Sequence, residues 1–209
     1  MPTYSGTAVV SVAVNGYCTL ADLRSAPALN FEVSYTTDDA LLSNIITAIS
    51  REIDRMTGRF FYQTTDTRYF TAIESDLVDV DDLVSVTTLQ TDDGSRAYAT
   101  TWAATDYDLW PFNAALQSEP YRLIKITPQG DYSFNRNVAK GVKLAGVFGW
   151  PAVPETIAKA CLLWCERYYK RLSAPLGTAS MSQLGMVSTQ IPTPDPDIEQ
   201  MIMTYRLIV

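Results

Sequence analysis

The chain has 209 residues, enough for one large domain or two small ones, and its 47% hydrophobic and 19% charged residues describe a folded protein rather than a disordered or coiled-coil one. Its 16 Lys and Arg oppose 23 Asp and Glu, a net charge of −7. That balance excludes an exposed basic face for gripping nucleic acid, though not a wall that DNA slides past. Histidine is absent, which removes Ser–His and Cys–His dyads and His-containing zinc sites.

The 3 cysteines, Cys18, Cys161 and Cys165, are too few and too odd in number for a disulfide framework and are expected as reduced thiols. Cys161 and Cys165 lack the Cys-x-x-Cys spacing of metal and redox pairs and read as small apolar core residues on one helix face. No run approaches the ~18 apolar residues of a membrane span. The apolar patch at 8–14 has no positive charge before it, against a secretory signal, so a soluble protein made in a cytoplasm is expected.

In chain order, residues 1–16 alternate Ser, Thr, Gly, Ala and Val without helical period and read as an N-terminal arm. Thr19 and Asp22 have capping-box spacing, with Asp where Glu or Gln is preferred, and open a short helix over 20–26 that Pro27 stops. Thr36, Thr37 and Asp38 offer caps for a long amphipathic helix whose apolar face is Leu41, Leu42, Ile45, Ile46, Ile49, Ile53 and Met56. Thr57 and Gly58 supply its left-handed stop.

From Gln63 the pattern becomes β. Strands are expected over 67–71, 77–80, 84–89, 97–102, 107–110, 121–127 and 142–148, with Asp93 and Gly94 as a tight turn and Pro111 as a stop. A second long helix follows, with Pro154 in its first turn, and Ala174 and Pro175 end it. Its apolar stripe is Ile157, Ala158, Cys161, Leu162, Cys165, Tyr168, Tyr169 and Leu172, with Lys159, Glu166, Arg167, Lys170 and Arg171 exposed. A loop over 176–191 precedes a short helix capped by Asp195, with Pro196 first and Ile198, Met201, Ile202, Tyr205 and Ile208 apolar.

The expected fold is therefore α+β, a small antiparallel helical bundle of two long helices and short terminal helices with an inserted antiparallel β module. The expected boundaries are 1–16 for the arm, 17–63 with 151–186 for the helical core, 64–150 for the β module and 187–209 for the C-terminal segment.

Glu74, Asp76, Asp79, Asp81 and Asp82 form the densest acidic cluster. It lacks the glycine turn of a calcium loop, and its bland reading is a solvated strand edge that deters aggregation. Gly141, Gly146 and Gly149 make no phosphate-binding fingerprint, and Gly146 within a strand marks a bulge or close packing. No serine has a base in a recognisable motif, so no enzyme activity, cofactor or metal is expected. The 12 tyrosines fit either an interface or a tyrosine-rich core.

Several segments together resemble the head–tail connector (adaptor, head-completion) family of long-tailed bacteriophages. They are Tyr17, Cys18, Thr19, Leu20, Ala21, Asp22, Leu23; Asp38 to Leu42; Ile49 to Ile53 leading to Thr57, Gly58, Arg59, Phe60, Phe61; and Gly146, Val147, Phe148, Gly149, Trp150, Pro151, Ala152, Val153, Pro154. Ile157, Ala160, the run Arg167, Tyr168, Tyr169, Lys170, Arg171, and Ala174, Pro175, Leu176, Gly177 extend the match. Asp106, Tyr107, Asp108, Leu109 and Pro111, Phe112, Asn113, Ala114 look like the β insert of longer members. The resemblance spans roughly residues 17 to 180 and rests on the order and spacing of these segments.

The resemblance implies a structural virion neck protein without enzymatic activity. It would form a homo-oligomeric ring, expected to be a dodecamer, that binds under the portal protein after genome packaging, extends the DNA channel and offers a docking surface to a stopper or tail-completion protein. Double-stranded DNA would pass through without specific binding, and no membrane is involved. The C-terminal segment would engage the portal, with Ile198, Met201, Ile202, Tyr205 and Leu207 becoming buried only on assembly. Arg167, Lys170 and Arg171 would pair with acids of a neighbouring subunit or the portal, or remain solvated helix-end cations. The β module would face outward or toward the tail.

Two other readings stand beside this one. A β-rich carbohydrate- or protein-binding module braced by helices would not need to form a ring. A hydrolase would draw a carboxylate pair from Glu74, Asp76, Asp79 or Asp81.

Overall fold

A computed structural model describes residues 13–27, 29–32, 35–128, 130–172 and 195–207. Most of the expected arm (1–12), the stop at Ala174 and Pro175, the 176–191 loop and Ile208 lie outside the described residues. The protein is α+β, and it divides into two compact units, Met1–Arg59 with Pro154–Val209, and Phe60–Val153.

The first unit is helical. In α1 (Leu20–Ser25) the Thr19 hydroxyl accepts the Asp22 N–H at 3.0 Å while the Asp22 carboxylate accepts the Thr19 N–H at 3.2 Å, so aspartate completes the capping box. Arg24 then grips both carboxylate oxygens of Asp39 at 2.8 and 2.9 Å, tying α1 to the first turn of α2 (Asp39–Thr57). α2 buries Leu42, Ile45, Ile46, Ile49 and Ile53 and, between them, Ser43, Ser50 and Thr57 at seven-residue spacing. Ser50 and Thr57 return their hydroxyl protons to the Ile46 and Ile53 carbonyls. Gly58, at φ +68°, closes the helix by donating to the Asp54 carbonyl.

α3 (Glu155–Leu172) buries Ile157, Ala160, Cys161, Trp164 and Cys165. Pro154 stands just outside the first turn, its carbonyl accepting the Ala158 N–H at 2.9 Å. The expected apolar stripes need correction at Leu41, Tyr168 and Leu172, which are exposed, and the expected exposed face at Glu166, which is buried. The Tyr169 hydroxyl donates to Asp38, just before α2, so the two long helices run antiparallel. That bond fixes which side of the last turns of α3 meets α2, and Tyr168 and Leu172 fall beside it, toward solvent. α4 (Pro196–Met203) packs on α2 and α3 through Ile198 and Ile202, and the Leu207 N–H reaches the Thr57 carbonyl at 2.8 Å.

The second unit is an antiparallel sheet of β1 (Thr64–Phe70), β2 (Leu77–Thr91), β3 (Thr100–Thr101), β4 (Tyr107–Trp110), β5 (Tyr121–Ile126) and β6 (Val142–Phe148). The order is β1-β6-β2-β5-β4, with β3 paired to the end of β2. The two expected strands at 77–80 and 84–89 are one long strand, because the polar step between them is absorbed by register shifts against both neighbours. The expected strand over 97–102 shrinks to β3. Its last residue instead swings inward, where Trp102 stacks on Phe134 (ring centroids 4.6 Å) and donates Nε1–H to Thr91 Oγ1 at 2.9 Å.

Two glycines let the ends of the sheet close. A methyl group at Gly146 would overlap the Ser85 carbonyl oxygen of β2, and one at Gly149 would overlap the Tyr62 carbonyl oxygen. Gly149 also sits at φ +107°, outside the range side chains readily adopt, and its N–H meets the Asp82 carbonyl at 2.7 Å. Next to it, Trp150 packs on Phe61 (5.3 Å) and donates Nε1–H to the buried Asp82 carboxylate at 3.1 Å.

Gly149→Ala should therefore cost at least about 2 kcal/mol of unfolding free energy, as expected for a strained backbone with a steric clash. Gly58→Ala, whose Cβ would meet Leu207 Cβ at an ordinary 3.7 Å contact, should cost about 1 kcal/mol. Urea unfolding curves of the two variants give the comparison.

Candidate functional site

Asp79, Asp81 and Asp82 lie on the part of β2 that pairs with β5, whereas pairing with β6 begins at Leu83, so this stretch has a strand partner on one side, in agreement with the expected strand edge. Glu74, Asp76, Asp79 and Asp81 are exposed, because they occupy the loop before β2 or its solvent-facing positions, whereas Asp82 turns inward to Trp150. Asp81 pairs with Arg68 at 2.7 Å, and Arg68 also reaches Asp66 and lies over the Phe148 ring at 4.2 Å. The four exposed carboxylates thus project into solvent instead of lining a cleft.

The basic end of α3 meets the start of α4. Arg167 donates to Asp195 at 2.6 Å and to both oxygens of Asp197 at 2.9 and 3.0 Å, and Arg171 donates to Asp195 at 3.1 Å. Arg167 and Arg171, expected to pair with acids of a neighbouring subunit or the portal or to stay solvated, thus meet acids of their own chain at the start of α4. Lys170 is exposed. Arg167 holds the Asp197 carboxyl below its usual value of 3.8, and the Arg167 guanidinium is correspondingly pushed up, first by Asp197.

The apolar residues expected to wait for a portal divide into two groups. Ile198 and Ile202 are fully buried in the single chain, because they form the core contact of α4 with α2 and α3. This corrects the expectation of burial only on assembly for those two. Met201, Tyr205 and Leu207 remain half-buried. Other apolar groups lie on the surface: Leu41, Tyr168 and Leu172 in the helical unit, and a tip of the β unit made by Trp110, Phe112 and Leu116, the last 85% exposed. Trp110 and Phe112 rings pack at 5.3 Å on either side of a cis proline, and a short 3₁₀ turn (Ala114–Gln117) carries Leu116. A hollow of about 520 Å³ beside α1 is lined by Leu20, Ala21, Arg24, Ser25 and Phe31.

The three cysteines come together, which their positions in the chain do not announce. Cys18 Sγ lies 3.6 Å from Cys161 Sγ, Cys161 lies 4.0 Å from Cys165, and all three sulfurs fall within 4.8 Å of one another. Cys161 and Cys165 are an i, i+4 pair on α3, and the Thr19 capping box holds Cys18 against them. Ser50 Oγ stands 3.6 Å from Cys161 Sγ. Hydrogen bonds from Cys165 and then Cys18 hold the Cys161 thiol well below its usual pKa, while Cys165 and Cys18 are pushed up, each chiefly through its bond to Cys161. The cluster therefore releases a first proton more readily than a second. The i, i+4 spacing was the visible half of this arrangement, and Cys18 was the half that only folding supplies.

No protein-family model matches the chain, and no curated protein matches it in sequence. Among solved structures it is similar to a chain from the neck of an empty gene transfer agent particle computed with C6 symmetry, at 17% identity and TM-score 0.57, over 96% of this chain and 94% of that one. It is also similar to a chain from the virion of a native gene transfer agent particle, at 18% identity and TM-score 0.56, with the same coverage. These likenesses establish a shared fold across nearly the whole chain.

The α3–α4 ion pairs set an acid limit. Asp197 has its folded pKa below its unfolded value, so its contribution is fully present above about pH 3.8 and is lost as pH falls through the folded value. Amide exchange at Ile198 and Ile202 should accelerate below that pH before global unfolding. In Arg167→Ala the acceleration should already be present at neutral pH.

Proposed function

We propose that this protein is a structural neck component of a tailed-phage-like particle, an adaptor that forms a ring between the portal and a stopper or tail-completion protein and prolongs the DNA channel. The observation that carries the proposal is the fold shared with a gene transfer agent neck chain over 96% of the sequence. That neck was computed with C6 symmetry, which a ring of twelve copies satisfies.

The physical properties of the chain support the reading. A closed ring needs two different, complementary faces on each subunit, and apolar groups stand ready on both units, at Leu41, Tyr168 and Leu172 and at the Trp110, Phe112, Leu116 tip. Each copy carries −7, so a ring of such copies is strongly negative overall and tends to repel phosphates, which suits duplex DNA passing through without being held. Catalysis has no part in this reading, and the protein's place is the virion neck.

The portal-facing surface of the C-terminal segment is made by Met201, Tyr205 and Leu207, with Ile198 and Ile202 beneath as its support. Lys170 and the exposed side of α3, the helix on which α4 packs, supply the remaining contacts.

The test is assembly. Mixed with its portal, the purified protein should form a ring visible by electron microscopy, and Tyr205→Asp together with Met201→Asp should abolish attachment while leaving the melting temperature within a few degrees. A chain that stays unattached in the presence of its portal would overturn the proposal.

A further inference from the structure

We propose that Cys18, Cys161 and Cys165 form a three-sulfur site for a monovalent thiophilic metal ion, copper(I). The inference is independent of the neck reading and rests on the geometry and chemistry of the cluster.

An ion in the plane of three sulfurs at about 2.3 Å from each would set those sulfurs about 4.0 Å apart. The two neighbouring separations are 3.6 and 4.0 Å, and the third pair also lies within 4.8 Å, so the three donors already surround a metal-sized point. All three are thiols, the softest donors a protein offers, and soft donors select copper(I) over hard cations. The Ser50 hydroxyl beside Cys161 is already engaged. Ser50 donates its hydroxyl proton to the Ile46 carbonyl at 2.7 Å and accepts the Tyr17 N–H at 3.0 Å. Three-coordination suits copper(I), whereas structural zinc takes four ligands.

The cluster is shielded from water, with Cys161 and Cys165 fully buried and Cys18 8% exposed. As each S–Cu bond forms, the S–H proton of that thiol passes to solvent, and the oxidation state of the metal does not change. Cys18 gives the entry route, since it lies in the irregular segment before α1 and is the most exposed of the three. Once bound, the ion would clamp that segment to the middle of α3 and add its binding energy to the stability of the helical unit.

The experiment is an anaerobic titration of the reduced full-length chain with copper(I) against a chromogenic copper(I) chelator. Expected are one ion per chain, a near-ultraviolet sulfur-to-copper band, an X-ray absorption spectrum with three sulfur neighbours at about 2.3 Å, and a raised melting temperature. Cys18→Ser, Cys161→Ser and Cys165→Ser should each weaken binding by about a hundredfold or more, with circular dichroism reporting whether each variant folds. Zinc(II) should compete poorly. Failure to take copper(I) from the chelator, a sulfur count below three in the wild-type spectrum, or unchanged affinity in a folded Cys18→Ser variant would each overturn the site. The wild-type sulfur count decides the matter even if every variant fails to fold.

Discussion

Close approach of α2 and α3 is the constraint on which the helical unit depends. Helices come near one another only where side chains are small. On α2 that strip is Ser43, Ser50 and Thr57, and on α3 it includes Ala160, Cys161 and Cys165. The 3.6 Å contact of Ser50 with Cys161 lies in this seam. Isoleucines and leucines flank it and supply most of the apolar burial. Hydroxyls can be buried there because Ser50 and Thr57 spend their protons on the preceding turn of their own helix. Larger residues in the seam would push the helices apart and loosen Ile46, Ile53 and Ile157 together.

Two aspartates at helix starts show how a local signal can be taken over by tertiary structure. Asp38 and Asp195 both occupy N-cap positions, and neither makes a side-chain capping bond. Asp38 instead accepts from the Tyr35 and Tyr169 hydroxyls, which hold its carboxyl below the usual value, and the Tyr169 hydroxyl is pushed up to about 12. Asp195 accepts from Arg167 and Arg171. In each case the carboxylate joins the start of one helix to the end of α3, while the macrodipole still benefits from the negative charge.

Much of the element pattern was legible in the sequence because it rests on local chemistry. The Thr19 and Asp22 box and the Gly58 stop are satisfied by neighbours within a few residues, and Pro196 at the start of α4 and the alternation in β6 are written in consecutive residues. What was not legible depends on partners far along the chain. Leu41, Tyr168 and Leu172 keep the helical period yet face solvent, since periodicity fixes a side of the helix but not how far its cover extends. That β2 runs on past its pairing with β5 to pair with β6 from Leu83 is a property of topology and not of the strand's own residues. The thiol cluster joins positions 143 residues apart, a juxtaposition that no spacing rule contains.

In the β unit, the chain enters along β1 and leaves along β6, which are hydrogen-bonded neighbours in register from Thr64 opposite Phe148 to Phe70 opposite Val142. Gln63 Nε2–H donates to the Pro151 carbonyl oxygen at 2.7 Å just outside that pairing. Entrance and exit are thus stitched side by side, like the two ends of a loop of thread passed through one eyelet. Hairpins distal to that stitch are free to lengthen, shorten or be exchanged in the course of descent, with the doorway itself unchanged.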